Sequence, residues 1–166
     1  AFVVRPDLVE RLKKLDIMIS AQDHLYLAAP VLKRYWGAER AEDVTPLKTY
    51  IDAGLLVAGG TDSPVVPFNP FWELYHFMSR DTISDGIYGA DQKIASRSLL
   101  LRLVTINYAK LIGEEQRKGS IEPGKLADFA VLSDDFLTVS PERVRDMKAM
   151  ATYVGGQQVY ADPVMR

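Results

Sequence analysis

Two side chains combine a reactive group with a position where α/β proteins build active sites. Asp62 follows the apolar segment 55–58 and a Gly59–Gly60 pair. His24 follows another apolar segment, 17–21. If both segments are parallel strands, their carboxyl ends share one edge of the sheet, and the two side chains face the same space. A carboxylate in that position can ligate a metal ion or accept a proton from an attacking water. We expect the two glycines to let the backbone turn sharply and to leave space for a ligand.

Each candidate also has a purely structural interpretation. Asp62 could accept hydrogen bonds from the backbone of its own turn, which Ser63 and Pro64 continue. A lone histidine such as His24 can equally be a hydrogen-bonded loop residue. His76 lies in an aromatic segment, and we interpret it as a packing residue. Spacing alone leaves the alternatives for Asp62 and His24 open.

The composition excludes several classes of protein. The 166 residues include no Cys and two His, which excludes disulfides, cysteine nucleophiles and thiolate zinc sites. With two histidines in the sequence, a self-sufficient multi-histidine metal centre is also difficult to form. The absence of Cys favours a reducing, cytoplasmic location. The 20 Lys and Arg are balanced by 22 Asp and Glu and form no basic run, so we expect no nucleic-acid partner. No stretch approaches the roughly 20 apolar residues that span a bilayer, so we expect no membrane partner.

Hydrophobic periodicity predicts the elements that position Asp62 and His24. It indicates a helix over about 6–15, a strand over 17–21, a helix from Pro46 to Gly54 and a strand over 55–58. This alternation is typical of a parallel α/β fold with right-handed crossovers. Between the first strand and the second helix we expect a long loop over 22–45, and loops of that length are often functional.

The second half of the sequence is predicted to be helical first and β-rich afterwards. We expect an aromatic helix over 71–80 and one long helix over 93–112. A strand over 127–132, a helix over 140–150 and a hairpin over 151–160 follow. Three short strands are too few to form a core of their own.

A series of short motifs extends over nearly the whole chain. They are Gln22-x-His24, Gly37-x-Glu39-Arg40, Asp52-Ala53-Gly54, Gly60-Thr61-Asp62-Ser63-Pro64, Arg80, Thr105-x-Asn107-x-Ala109, Gly119-Ser120-Ile121-x-Pro123-Gly124-Lys125-Leu126-Ala127-Asp128 and Thr152-x-Val154-x-Gly156. Their order resembles the C-terminal portion of the metal-dependent amidohydrolases, specifically the family 3, YtcJ-like branch. The segment 119–128 is the most specific of these motifs.

The resemblance implies a fold and a set of roles. The fold is α/β: the last two strands and helices of a (β/α)₈ TIM barrel over residues 1–115, then β-strands of a small composite β-sandwich over 116–166. The family binds one or two divalent metals, usually zinc, and Asp62 matches its metal-ligating Asp after the eighth strand. In the family that Asp also takes a proton from the metal-bound water and delivers it to the leaving nitrogen. The resemblance further implies that His24, Gln22 and Ser63 contact a small-molecule substrate.

The sequence departs from the family in two respects. It contains none of the family's histidine ligands and no His-x-His pair, and its 166 residues are fewer than the roughly 250 that a complete barrel takes. We therefore interpret the chain as a C-terminal fragment of a hydrolase of C–N bonds, in amides or cyclic amides. We expect it to be inactive alone, to form oligomers through exposed edges, and to pair with the remaining N-terminal part or another chain. The alternative is a non-catalytic α/β binding or assembly module. A free-standing flavodoxin-like domain is disfavoured, because only two parallel strands are convincing.

Overall fold

Two short parallel strands lie at the centre of the first half of the protein. The computed structural model describes residue 3 and residues 5–165, apart from the side chain of Met165. Strand β1 (Ile19–Ala21) pairs with β2 (Val57–Gly59), with Ile19 opposite Val57 and Ala21 opposite Gly59. The predicted parallel pair is confirmed. Both strands begin two residues later than expected, and β2 includes the first glycine of the pair.

Helices surround this strand pair in the described part of the chain. In chain order they are α1 (Pro6–Lys14), α2 (His24–Leu27), α3 (Ala29–Trp36), α4 (Ala38–Glu42), α5 (Leu47–Asp52), α6 (Pro70–Ser79), α7 (Arg97–Leu103), α8 (Ile106–Leu111) and α9 (Pro141–Arg145). Short 3₁₀ turns cover Ala90–Gln92 and Pro163–Met165. None of the described helices is long and apolar enough to cross a membrane.

Helices α1, α5 and α6 form where the sequence predicts them. Proline occupies the first turn of α1 and of α6, where its missing N–H costs nothing. The side chain of Asn69 caps α6 by accepting a hydrogen bond from the Phe71 N–H at 3.0 Å. Gly54, with φ of 81°, follows α5 as a helix-ending glycine does.

The segment between β1 and α5 is not the long loop that the sequence predicts. It folds into α2, α3 and α4. Gly37, with φ of 86°, ends α3 and separates it from α4. Ala29 and Ala41 are fully buried and form a small cluster with Tyr88. Such short helices, held by buried alanines, leave little hydrophobic periodicity in the sequence.

Two of the predicted helices end early. The helix expected over 93–112 is two helices, because Thr105 takes a non-helical backbone conformation with φ of −124° and ψ of −98° between α7 and α8. After this break the side chain of Asn107 donates a hydrogen bond to the Val57 carbonyl at 2.8 Å. The helix expected to reach Met150 ends at Arg145, since strand pairing begins at Ala149.

The last part of the chain forms an antiparallel three-stranded sheet. Its strands are β3 (Phe129–Leu132), β4 (Ala149–Val154) and β5 (Gln157–Ala161), in the order β3-β4-β5. The predicted hairpin is confirmed, and the fold is α/β as expected. Val144, in α9, and Met147, two residues after that helix, are buried in the same core as residues of β1, β2 and α6. The division into segments 1–115 and 116–166 stays a prediction.

The two glycines at the end of β2, Gly59 and Gly60, have different surroundings. A Cβ added to Gly59 would lie 2.5 Å from Glu73 Oε1 and 3.2 Å from Val104 Cγ1, whereas one added to Gly60 would meet nothing within 4 Å. Neither glycine has a left-handed φ, and the residue that does is Asp62, with φ of 55°. The turn therefore uses no left-handed glycine, and the sharp turn expected at the glycines stays a prediction. Gly59 is small because α6 packs closely on β2 at that point.

Replacing each glycine by alanine tests this close contact. Gly59→Ala should lower the free energy of unfolding by about 1–3 kcal/mol, because its methyl group must displace a buried carboxyl. Gly60→Ala is the matched control and should change it by less than about 0.5 kcal/mol. Urea denaturation at pH 7 measures both values. Equal losses in the two variants would show that close packing is not the reason for Gly59.

Candidate active site

The shared carboxyl edge of β1 and β2 brings His24 and Asp62 together. His24 begins α2 just after β1, and Asp62 follows β2. The Nε2 atom of His24 lies 3.5 Å from Oδ2 of Asp62. The Asp62 side chain is 57% exposed and that of His24 is 19% exposed. The edge therefore presents an accessible carboxylate beside a largely covered imidazole.

The backbone around Asp62 explains why its carboxylate faces His24. Asp62 has a left-handed φ, a conformation that Asp and Asn tolerate better than most residues. The turn after it is closed by the backbone, since the Val65 N–H donates to the Asp62 carbonyl at 2.9 Å. The backbone thus closes this turn, and the Asp62 carboxylate lies beside His24.

The two other candidate residues lie near this pair in the sequence but differ in their contacts. The Gln22 amide donates a hydrogen bond to Ser20 Oγ at 2.8 Å, so its nitrogen contacts β1 rather than Asp62. Ser63 is exposed directly after Asp62. The structure thus brings together His24 and Asp62, while Gln22 is engaged with its own strand.

A buried polar pair, which the sequence does not predict, lies beneath this edge. The Nδ1 atom of His76 lies 2.7 Å from Oδ2 of Asp23, and their side chains are 1% and 3% exposed. The carboxylate accepts this hydrogen bond, so Nδ1 carries the proton. The His76 ring also packs edge-on against Tyr26 and Trp72, at centroid distances of 6.0 and 5.7 Å. His76 is a packing residue as expected, and it is also the partner of a buried carboxylate.

Glu73 lies one helical turn before His76 on α6 and is buried as well. Its burial, the largest cause, raises the pKa of Glu73 to about 8, and the negative charge of Asp23 adds to this, whereas the backbone amide of Gly60 opposes it. At neutral pH the carboxyl is therefore mostly protonated. Its Oε1 atom has no hydrogen-bond partner among the described residues. Polar residues at i and i+3 within an aromatic helix are the signal that could have indicated this cluster.

These donors can be compared with the metal that the resemblance implies. Asp62 offers an exposed carboxylate, and His24 Nε2 is the imidazole nitrogen beside it. Both are ordinary zinc ligands. Within residues 5–165, however, no group of three or more His, Cys, Asp or Glu side chains could hold a metal ion. Asp62 is chemically suited to ligate a metal ion, but the described part of the chain supplies no complete set of ligands for one.

The chain matches a known protein family over almost its whole length. The family model of the amidohydrolase family matches residues 1–160. This chain belongs to the amidohydrolase family. The family resemblance of the motifs is thereby confirmed.

Two curated relatives are similar over almost the whole chain. YtcJ of Bacillus subtilis is 28% identical over 163 residues, which cover 96% of this chain and 31% of YtcJ. An N-substituted formamide deformylase of Arthrobacter pascens is 27% identical over 158 residues, 94% of this chain and 29% of the deformylase. The chain therefore spans about three tenths of the length of these relatives.

A solved structure shares the fold. An uncharacterized metal-dependent hydrolase from Pyrococcus horikoshii matches 86% of this chain and 29% of its own chain, with a TM-score of 0.75 and 25% identity. The α/β arrangement described above is thus also present in part of a metal-dependent hydrolase.

The buried Glu73 should make stability depend on pH. Its pKa of about 8 in the folded protein compares with an ordinary value of 4.5, so the folded state keeps a proton that the unfolded chain loses. Stability is therefore greatest below pH 4.5 for this group and falls as the pH rises towards 8. By pH 7 the loss amounts to about 3 kcal/mol.

Gln cannot ionise, so Glu73→Gln should remove this contribution to the slope of the free energy of unfolding against pH. In denaturant unfolding between pH 4.5 and 8.5, the free energy of unfolding of the variant should rise relative to that of the unmodified protein as the pH rises. Glu39→Gln, on the exposed surface of α4, is the control and should keep the original slope. If Glu73→Gln kept the same pH dependence of stability, the raised pKa of Glu73 in the folded protein would be contradicted.

Proposed function

We propose that this chain forms the C-terminal part of the active site of a metal-dependent hydrolase that cleaves C–N bonds in amides or cyclic amides. The observation that carries the proposal is the exposed Asp62 carboxylate at the shared carboxyl edge of β1 and β2, beside His24. Membership of the amidohydrolase family supports it. The relative named for deformylation of N-substituted formamides supports an amide as the substrate class. In this proposal β1 and β2 are the last two strands of a (β/α)₈ barrel, and β3–β5 belong to the composite sandwich.

Asp62 has two roles in the proposed reaction. One carboxylate oxygen would ligate a divalent metal, which we propose to be zinc. Such a metal would supply a water of lowered pKa as the nucleophile. The Asp62 carboxylate would accept a proton during the attack and release it to the leaving nitrogen. Its exposure allows both the proton and the substrate to reach it.

The neighbouring residues orient the reacting groups. His24 Nε2, 3.5 Å from Asp62 Oδ2, restrains the carboxylate and faces the space where a substrate would lie. The exposed hydroxyl of Ser63 and the amide oxygen of Gln22 are the further polar groups that we propose for substrate contact. The Ser63 hydroxyl can donate or accept a hydrogen bond, and the Gln22 amide oxygen can accept one, in both cases without a change of charge.

The remaining metal ligands are proposed to come from outside this chain's sequence. The matches cover 31% and 29% of the two curated relatives, so most of the relatives' length lies beyond the match. That part would be supplied by the N-terminal portion of the same hydrolase or by another chain. Exposed apolar side chains on the β3–β5 sheet, such as Val131 and Val159, offer a surface for that association. The cytoplasmic location stays a prediction of the cysteine-free sequence.

One observation favours a second candidate function, a non-catalytic binding or assembly module. The antiparallel sheet exposes Phe129, Val154 and Val159, which a partner would cover. Such a module would retain the fold and the association without needing Asp62. The carboxylate substitution below distinguishes the two functions.

Asp62→Asn in the complete hydrolase tests the catalytic role. Asn tolerates the left-handed backbone at this position, so the fold should be retained, while kcat/KM should fall by at least about 100-fold. Asp16→Asn is the matched control, because Asp16 also has a left-handed φ and is exposed away from the site. Steady-state kinetics and thermal unfolding measure both. Full turnover in Asp62→Asn would refute the catalytic role.

Metal analysis of the isolated 166-residue chain tests whether its site is incomplete. One carboxylate and one neighbouring imidazole cannot close a tetrahedral zinc site. After dialysis against buffered zinc, emission spectroscopy should find less than one equivalent bound, and amide hydrolysis should be undetectable. A full equivalent bound by the isolated chain would contradict the proposed division of ligands.

A further inference from the structure

The buried hydrogen bond between Asp23 and His76 joins the segment after β1 to helix α6. We propose that Asp23 and His76 are positioning residues for His24: their bond fixes the backbone after β1 so that the His24 imidazole is held against Asp62. The role of His24 in substrate contact rests on the proposed function, whereas the orientation of its ring is independent of that function.

Asp23 is fixed through both its backbone and its side chain. Its carbonyl accepts hydrogen bonds from the N–H groups of Tyr26 and Leu27 at 3.1 and 3.2 Å, which start α2. Its carboxylate accepts from His76 Nδ1 at 2.7 Å. His24 is the next residue, so its Cα–Cβ direction follows from these constraints. Asp23 points into the core while His24 points to the exposed edge.

The ring of His76 is a rigid anchor for this bond. It lies between Tyr26 and Trp72 and is tilted against Tyr75 at a centroid distance of 5.4 Å. Only 1% of the side chain is exposed. A ring enclosed in this way cannot rotate without displacing its aromatic neighbours, so its Nδ1 atom stays directed at Asp23.

His24 itself lacks the support that usually orients a functional imidazole. Such rings are normally held by a hydrogen bond to the second nitrogen. In His24 that nitrogen, Nδ1, is buried and has no hydrogen-bond partner among the described residues. The direction of Nε2 towards Asp62 therefore depends on the packing of the ring and on the backbone that carries it, and Asp23 holds that backbone.

NMR spectroscopy of the 166-residue chain can measure the orientation of His24 directly. With two histidines in the sequence, the imidazole signals separate cleanly, and a His76→Phe variant assigns them. In the unmodified protein we expect a nuclear Overhauser effect between the His24 ring protons and the Asp62 Hβ protons. We also expect the nitrogen shifts of His76 to show a proton on Nδ1.

The variants separate positioning from simple stabilisation. Asp23→Ala and His76→Phe, which keeps the aromatic packing, should both lose the His24–Asp62 signal while the amide spectrum stays folded. Asp23→Asn should retain it, because the Asn oxygen still accepts from Nδ1. Phe136→Leu is the control: it alters a buried core residue that contacts Arg97, and it should lower the Tm while keeping the signal.

Either of two results would overturn the proposal. One is an unchanged His24–Asp62 signal in a folded Asp23→Ala or His76→Phe protein. The other is a His76 ring protonated only at Nε2 in the unmodified protein, a measurement that needs no variant to fold. If the signal is lost in the variants but the complete hydrolase carrying the same substitutions keeps its turnover, the positioning of His24 is supported and its proposed role in the reaction is refuted.

Discussion

The parallel pairing of β1 with β2 is the constraint on which the rest of the site depends. Each strand has three residues, and their register places Ala21 opposite Gly59 at the carboxyl end. Whatever follows the two strands must therefore meet at one edge of the sheet. Asn107 strengthens this arrangement by tying α8 to the Val57 carbonyl. The contact between His24 and Asp62 is a direct consequence of this pairing.

The region beneath the edge is polar where a core would ordinarily be apolar. Asp23, Glu73 and His76 are almost completely buried, and Glu73 packs against the backbone of Gly59. A buried carboxyl of raised pKa lowers the stability of the folded protein at neutral pH. Buried polar groups that lower stability occur most often beside functional sites, where they hold side chains in a fixed geometry. This buried cluster touches β2 through Glu73 at Gly59 and the segment after β1 through Asp23.

The parts that could be predicted from the sequence are those with a local signal. Apolar segments bounded by turn residues indicated both strands, and their order along the chain indicated that Asp62 and His24 share an edge. The helices over 24–42 were not predictable, because they are short and held by buried alanines. The break at Thr105 serves a hydrogen bond from Asn107 to a distant strand. The Asp23–His76 pair joins residues 53 positions apart, and no pattern within either segment specifies that contact.

We predict that Asp62 binds a metal ion whose other ligands lie outside this chain. A crystal structure of the complete hydrolase with zinc, with anomalous data at the zinc edge, tests this prediction. An anomalous peak is expected about 2.0–2.2 Å from a carboxylate oxygen of Asp62, with the other ligands outside these 166 residues. A zinc ion bound with the Asp62 carboxylate outside coordination distance would contradict it.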